Sequence, residues 1–228
     1  KDNITWKIEK CLTRSTVKIS DMKCQEDIIE NNRYFIFPYK MQNGKMKPIS
    51  EDEMKASYPY CYKYFTHVKD ILALRGKGKH TYSPFYCYGR TQGLNRTGVK
   101  LYTPTFSKYP RFLIDLDEIS LFTNGYGIYF RERTNNLFED NPITNVENLD
   151  VIQKILNSEI MNYYITVTSV AIEGGYPCYQ KNFIEKFTIP YLDEKQINQL
   201  RTISDKDKIN AYLEEIYHIN LPEPNRCS

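Results

Sequence analysis

Ten Lys and Arg side chains and a single acid, Asp70, fall within residues 63–111. Aromatic residues interleave with them: Tyr64, Phe65, Tyr82, Phe85, Tyr86, Tyr88, Tyr102, Phe106 and Tyr109. Basic groups neutralise phosphates and release counterions, while aromatic faces and polar tips contact sugars or bases. The run Arg75-Gly76-Lys77-Gly78-Lys79 joins charge to a glycine-rich backbone that can approach a phosphate closely. Arg90, Gln92, Asn95 and Arg96 carry side chains able to pair bidentately with base edges, Arg with guanine and Asn or Gln with adenine. Tyr86, Tyr88 and Lys108 complete the set expected to face a nucleic acid. A solvated basic loop packed on tyrosines is the alternative for such a run. The concentration of charge favours nucleic-acid binding.

Other candidate chemistry is sparse. Gly76-Lys77-Gly78-Lys79 lacks the G-x-x-x-x-G-K-[ST] frame of a phosphate-binding loop. Asp115, Asp117 and Glu118 could hold a nuclease metal, but they are better read as a turn after a strand. Ser158 and Cys87 have no histidine or acid in evident register. The six cysteines (Cys11, Cys24, Cys61, Cys87, Cys178 and Cys227) include no C-x-x-C pair, and the three histidines stand apart. Reduced structural thiols and a cytoplasmic location are expected. No catalytic residue, metal site or cofactor site is expected in this chain.

The elements that must position the basic run are legible in outline. Residues 12–20 read as extended and 33–40 as a strand, ended by Pro38 and the Asn43-Gly44 turn. Ser50 and Glu53 form an S-x-x-E capping box opening a helix that Pro59 interrupts, and a second helix runs over 60–74 to Gly76. Residues 75–98 are loop-rich. Strands follow at 99–104, 110–115 and 121–130, the last a hairpin about Asn124-Gly125. Helices cover 148–169, with a break near Asn157-Ser158, and 193–218, divided near Ser204-Asp205. The fold class expected is α+β, with a mostly antiparallel sheet, a loop-rich basic DNA-facing region and packed helices toward the C-terminus.

At 228 residues, with 41% hydrophobic content, the chain suits one large domain or two small lobes. It has no apolar run long enough to span a membrane and no basic, then apolar, opening. Its first residue, Lys1, suggests an excised fragment. The net charge of +3 hides a split: residues 1–111 carry 21 Lys/Arg against 10 Asp/Glu, and the remainder 10 against 18. That asymmetry points to one polyanion-facing side.

Taken in order, several segments resemble the TaqI-type C-terminal specificity domain of adenine-specific DNA methyltransferases and fused restriction–modification enzymes. These are YFIFPYK (34–40), YPYCYKYF (58–65), DILALRGKGK (70–79) and YSPFYCYGRTQ (82–92). VKLYTPTFSKYPRFLID (99–115), NGYGIYF (124–130), ILNSEIMNYYI (155–165) and the closing FTIPYL continue the likeness. The resemblance implies a module that reads duplex DNA beside a catalytic domain, where a flipped adenine is methylated at N6 from S-adenosylmethionine. It implies that Tyr88-Gly89-Arg90 and the following loop face DNA and that the helix at 155–165 is scaffold. The Asn-Pro-Pro-Tyr tetrad that holds the adenine is missing, since Asn141-Pro142 continues as Ile143-Thr144, and so is the glycine-rich cofactor turn. The chain departs from many members also in lacking Trp near Phe85.

The organisation expected is a connector from an N-terminal catalytic domain (1–30), a target-recognition domain (31–192) and a helical segment (193–228). The partners expected are double-stranded DNA and the parent's methyltransferase domain, with no membrane, and S-adenosylmethionine belongs to that other domain. The competing readings are a recognition subunit of a multi-subunit restriction system, a protein–protein module and a freestanding nuclease.

Overall fold

The computed structural model describes residues 4–130, 141–172 and 174–222; Cys227 and the end of the expected 193–228 segment lie outside them. In chain order the elements begin β1 (Thr13–Lys18), α1 (Gln25–Ile29), β2 (Tyr34–Ile36), β3 (Tyr39–Gln42), β4 (Lys45–Pro48), α2 (Glu51–Ser57), α3 (Pro59–His67) and α4 (Lys69–Ala73). After a long loop come β5 (Lys100–Thr103), β6 (Leu113–Asp115), β7 (Leu121–Thr123), β8 (Tyr126–Tyr129), α5 (Leu149–Leu156) and α6 (Glu159–Thr168). The short pair β9 (Ala171–Ile172) and β10 (Tyr176–Pro177), then α7 (Lys181–Ile184), α8 (Glu194–Thr202) and α9 (Lys206–Tyr217), complete the chain. The class is α+β, and the pairings described are antiparallel. The strands divide among small sheets ordered β2-β1-β7, β6-β5-β8, β3-β4 and β10-β9.

Local signals set many boundaries. The Ser50 hydroxyl accepts from the Glu53 N–H at the start of α2, Ser158 does the same for Met161 at α6, and Asp205 for Lys208 at α9. Asp193 and Gln196 form a reciprocal capping box at α8. The helix expected over 60–74 divides at Val68, whose backbone leaves helical geometry. The strand expected over 33–40 is split at Pro38, which has no N–H to give a ladder, into β2 and β3.

The two Asn-Gly steps behave differently. Asn43 and Gly44 both take positive φ, and a tight hairpin pairs Gln42 with Lys45 and Met41 with Met46. At the second step only Asn124 is left-handed, and the expected hairpin does not form. Instead β8 pairs with β5, and β7 joins β1 and β2. A Cβ on Gly125 would stand 2.5 Å from the Thr103 carbonyl oxygen and 2.8 Å from the Ile19 side chain. Glycine serves close packing there.

The chain forms two compact units: 1–16, 32–97 and 119–121, and 17–31, 98–118 and 122–228. In the first, Leu12, Ile49, Met54, Cys61, Phe65 and Tyr86 make one core, and Phe37, Tyr39 and Leu94 a smaller one. In the second, α5, α6, α8 and α9 bury Val151, Ile155, Met161, Leu200 and Leu213 with Leu101, Phe112 and Tyr179. There the free edge of β6 is satisfied by side-chain amides. Gln25 exchanges both hydrogen bonds with the Ile114 backbone, and Asn157 both with that of Phe112. The Lys154 ammonium donates to the carbonyls of Leu200, Arg201 and Ile203 at the end of α8.

Candidate nucleic-acid interface

Residues 75–97 lie wholly in the first unit and form an irregular loop with left-handed backbone at Gly76, Lys77, Gly78 and Gly93. The loop is held by its own polar and aromatic residues. Arg75 is half-buried: its guanidinium donates to the carbonyls of Leu72, Phe85 and Cys87 and lies 4.4 Å from the centroid of the Tyr82 ring. An arginine whose fork is filled in this way shapes the loop.

Tyr86 is 2% exposed, stacks on Phe65 with ring centroids 4.8 Å apart, and donates its hydroxyl to the Ile49 carbonyl at 2.8 Å. Tyr88 is half-buried; its hydroxyl donates to the Ile36 carbonyl, and its N–H donates to the Tyr39 hydroxyl. Burial pushes the Tyr39 hydroxyl up to about 12 and raises those of Tyr86 and Tyr88 as well. Leu94 is buried against Phe37 and Tyr39. Asn95 is exposed, and its side-chain oxygen accepts the Met46 N–H at 3.1 Å.

The other expected residues of this loop face solvent. Lys77, Lys79, Arg90, Gln92 and Arg96 are all exposed. The structure thus sorts the expected site into anchors (Arg75, Tyr86, Tyr88 and Asn95) and presented side chains. The anchors restrict the conformational freedom of the backbone that carries those side chains. Lys108 is also exposed but belongs to the second unit.

Two basic residues of the 63–111 run point elsewhere. Lys100 is fully buried in the second unit, donates to the carbonyls of Gly98 and Asp117, and lies 3.7 Å from Asp115. Arg111 is half-buried. The Asp115 carboxylate accepts from the buried Tyr102 hydroxyl at 2.7 Å and from the Asp117 N–H at 2.9 Å. That carboxylate therefore closes a turn after β6. Among the described residues no group of three or more His, Cys, Asp and Glu is placed to hold a metal ion. No helix among them is long and apolar enough to cross a membrane.

The sequence reading missed the β3–β4 hairpin, where Lys45 and Lys47 are exposed beside Met46, the residue that Asn95 holds. The alternation in KMQNGKMK (40–47) was the available signal. Fold and site together define an α+β protein with a basic, internally anchored loop. No protein-family model matches the chain. It is similar to the type II restriction enzyme and methyltransferase RM.Eco57I of Escherichia coli, at 26% identity over 239 residues. The alignment covers 95% of this chain and 22% of that protein, so the chain spans about a fifth of its relative's length.

Proposed function

We propose that this chain reads duplex DNA as the target-recognition part of a restriction–modification enzyme, in the manner of a TaqI-type specificity domain. The observation that carries the reading is the anchored loop with Lys77, Lys79, Arg90, Gln92 and Arg96 exposed and its aromatic residues turned inward. In this reading Lys77 and Lys79 neutralise phosphates, and Arg90, Arg96 and Gln92 face base edges in the major groove. The similarity to a combined restriction enzyme and methyltransferase supports the restriction–modification setting.

Adenine-N6 methylation from S-adenosylmethionine belongs to another domain of the whole protein, which is also the chain's partner. Incubated alone with labelled S-adenosylmethionine and duplex DNA, the chain transfers no methyl group. A labelled product would overturn that part of the reading.

The recognition claim is tested by selecting bound duplexes from a random pool at moderate salt. A defined consensus is expected. Arg90→Ala and Arg96→Ala each relax it, with about 1–3 kcal/mol of discrimination lost per base pair read. Lys77→Ala and Lys79→Ala weaken binding to all sequences alike. Binding without any consensus would reduce the chain to a non-specific DNA contact.

A further inference from the structure

The β3–β4 hairpin belongs to the first unit and is hydrogen-bonded to the anchored loop through Met46 and Asn95. Its register places Lys40 opposite Lys47 and Gln42 opposite Lys45, so these four share one face. The alternate residues, Tyr39, Met41 and Met46, lie on the other face, where Tyr39 and Met46 join the small apolar core with Phe37 and Leu94. The outward face is therefore basic. Like charges directly across a strand pair repel. Lys40 is neutralised by Glu53 at 2.5 Å, while Lys45 and Lys47 stand exposed.

The contact with the loop is specific. In a tight two-residue hairpin the Gln42–Lys45 pair closes the ladder, and at the next pair, Met41–Met46, the N–H groups point away from the partner strand. The Met46 N–H, on the free edge of β4, is taken by the Asn95 side-chain oxygen. Asn95 thus ties the hairpin to the loop one residue from Arg96, with Lys45 and Lys47 on either side of the tie.

We propose that the β3–β4 hairpin is a second nucleic-acid contact of this chain, in which Lys45 and Lys47 hold backbone phosphates of duplex DNA. The inference rests on the duplex-binding reading above. It gives the hairpin a role in orientation and affinity, and leaves base selection to the loop.

The test is the salt dependence of duplex binding by the full chain. Two phosphate contacts contribute about 1.8 to the slope of log affinity against log salt concentration. Between 50 and 200 mM salt the unaltered chain should therefore lose about 12-fold more affinity than Lys45→Ala/Lys47→Ala. The consensus selected should stay the same, and the thermal midpoint should hold because both side chains are exposed. Lys195→Ala/Lys208→Ala removes the same charge from exposed positions on α8 and α9 and should leave the slope unchanged. If the unaltered chain binds and the hairpin variant keeps its slope, the hairpin assignment fails alone. If both double variants lower the slope equally, net charge and not a local contact is responsible, and the assignment again fails. Absence of duplex binding by the unaltered chain overturns the hairpin and the parent reading together.

Discussion

Arg75 shows how burial changes the meaning of a charged residue. In the sequence it is one more cation in a basic glycine-rich run. In the structure its planar fork satisfies three backbone carbonyls of the loop and its neighbouring helix, and its face covers Tyr82. Arg75→Ala should cost about 2 kcal/mol of stability, because hydrogen bonds to charged groups are lost and carbonyls are left unpaired. Amide exchange in residues 76–93 should accelerate in the same variant. Arg75→Lys should recover little, since one ammonium cannot reproduce the fork.

The tyrosines make the same point through their ionisation. Tyr39, Tyr86, Tyr88 and Tyr179 are held neutral by burial, Tyr39 up to about 12 against an ordinary 10.0. The Tyr39 contribution to stability is whole below pH 10 and is lost as pH rises toward 12, because the unfolded chain releases its proton first. An absorbance titration of tyrosinate should show these buried side chains ionising above the ordinary tyrosine range. Their signal should appear as the protein unfolds.

At the scale of elements, side-chain amides do work that strands do elsewhere. Asn157 sits between α5 and α6 and reproduces a strand's donor and acceptor against Phe112. Asn157→Asp keeps the shape but loses the donor, so the Phe112 carbonyl must rely on Gln153, which also donates to it. The expected cost is about 1–3 kcal/mol by urea unfolding, from a carboxylate placed against a carbonyl. Gly125→Ala tests the packing of the β7–β8 connection: the new methyl meets backbone at Thr103 and should cost about 2 kcal/mol. A neutral outcome would mean that β5 and β8 can separate freely.

On the scale of the whole molecule, the charge asymmetry along the chain becomes an asymmetry between units. The first unit carries 16 Lys/Arg against 6 Asp/Glu, a net of +10, and the second 15 against 22, a net of −7. Duplex affinity should accordingly collapse with salt. If six phosphates are contacted, about 1000-fold is lost between 50 and 200 mM, measured by fluorescence anisotropy. A flat response over that range would remove the electrostatic basis of the proposed function.

The α+β class, the capping box at Ser50, the breaks near Asn157-Ser158 and Ser204-Asp205 and the concentration of basic residues in 63–111 were readable from the sequence, because the local signals depend on neighbours a few residues away. Tertiary structure alone decided which Asn-Gly step makes a hairpin, since β5 competes for β8 only once it is folded beside it. It also decided which basic residues are presented. Lys100 and Lys77 are both lysines of one basic run, yet the first is enclosed with Asp115 and the second faces water. The tie between Asn95 and the hairpin was hidden for the same reason: its partner, Met46, is 49 residues away. Composition determines how many basic side chains the 63–111 run carries, and only the long-range packing determines which of them face solvent.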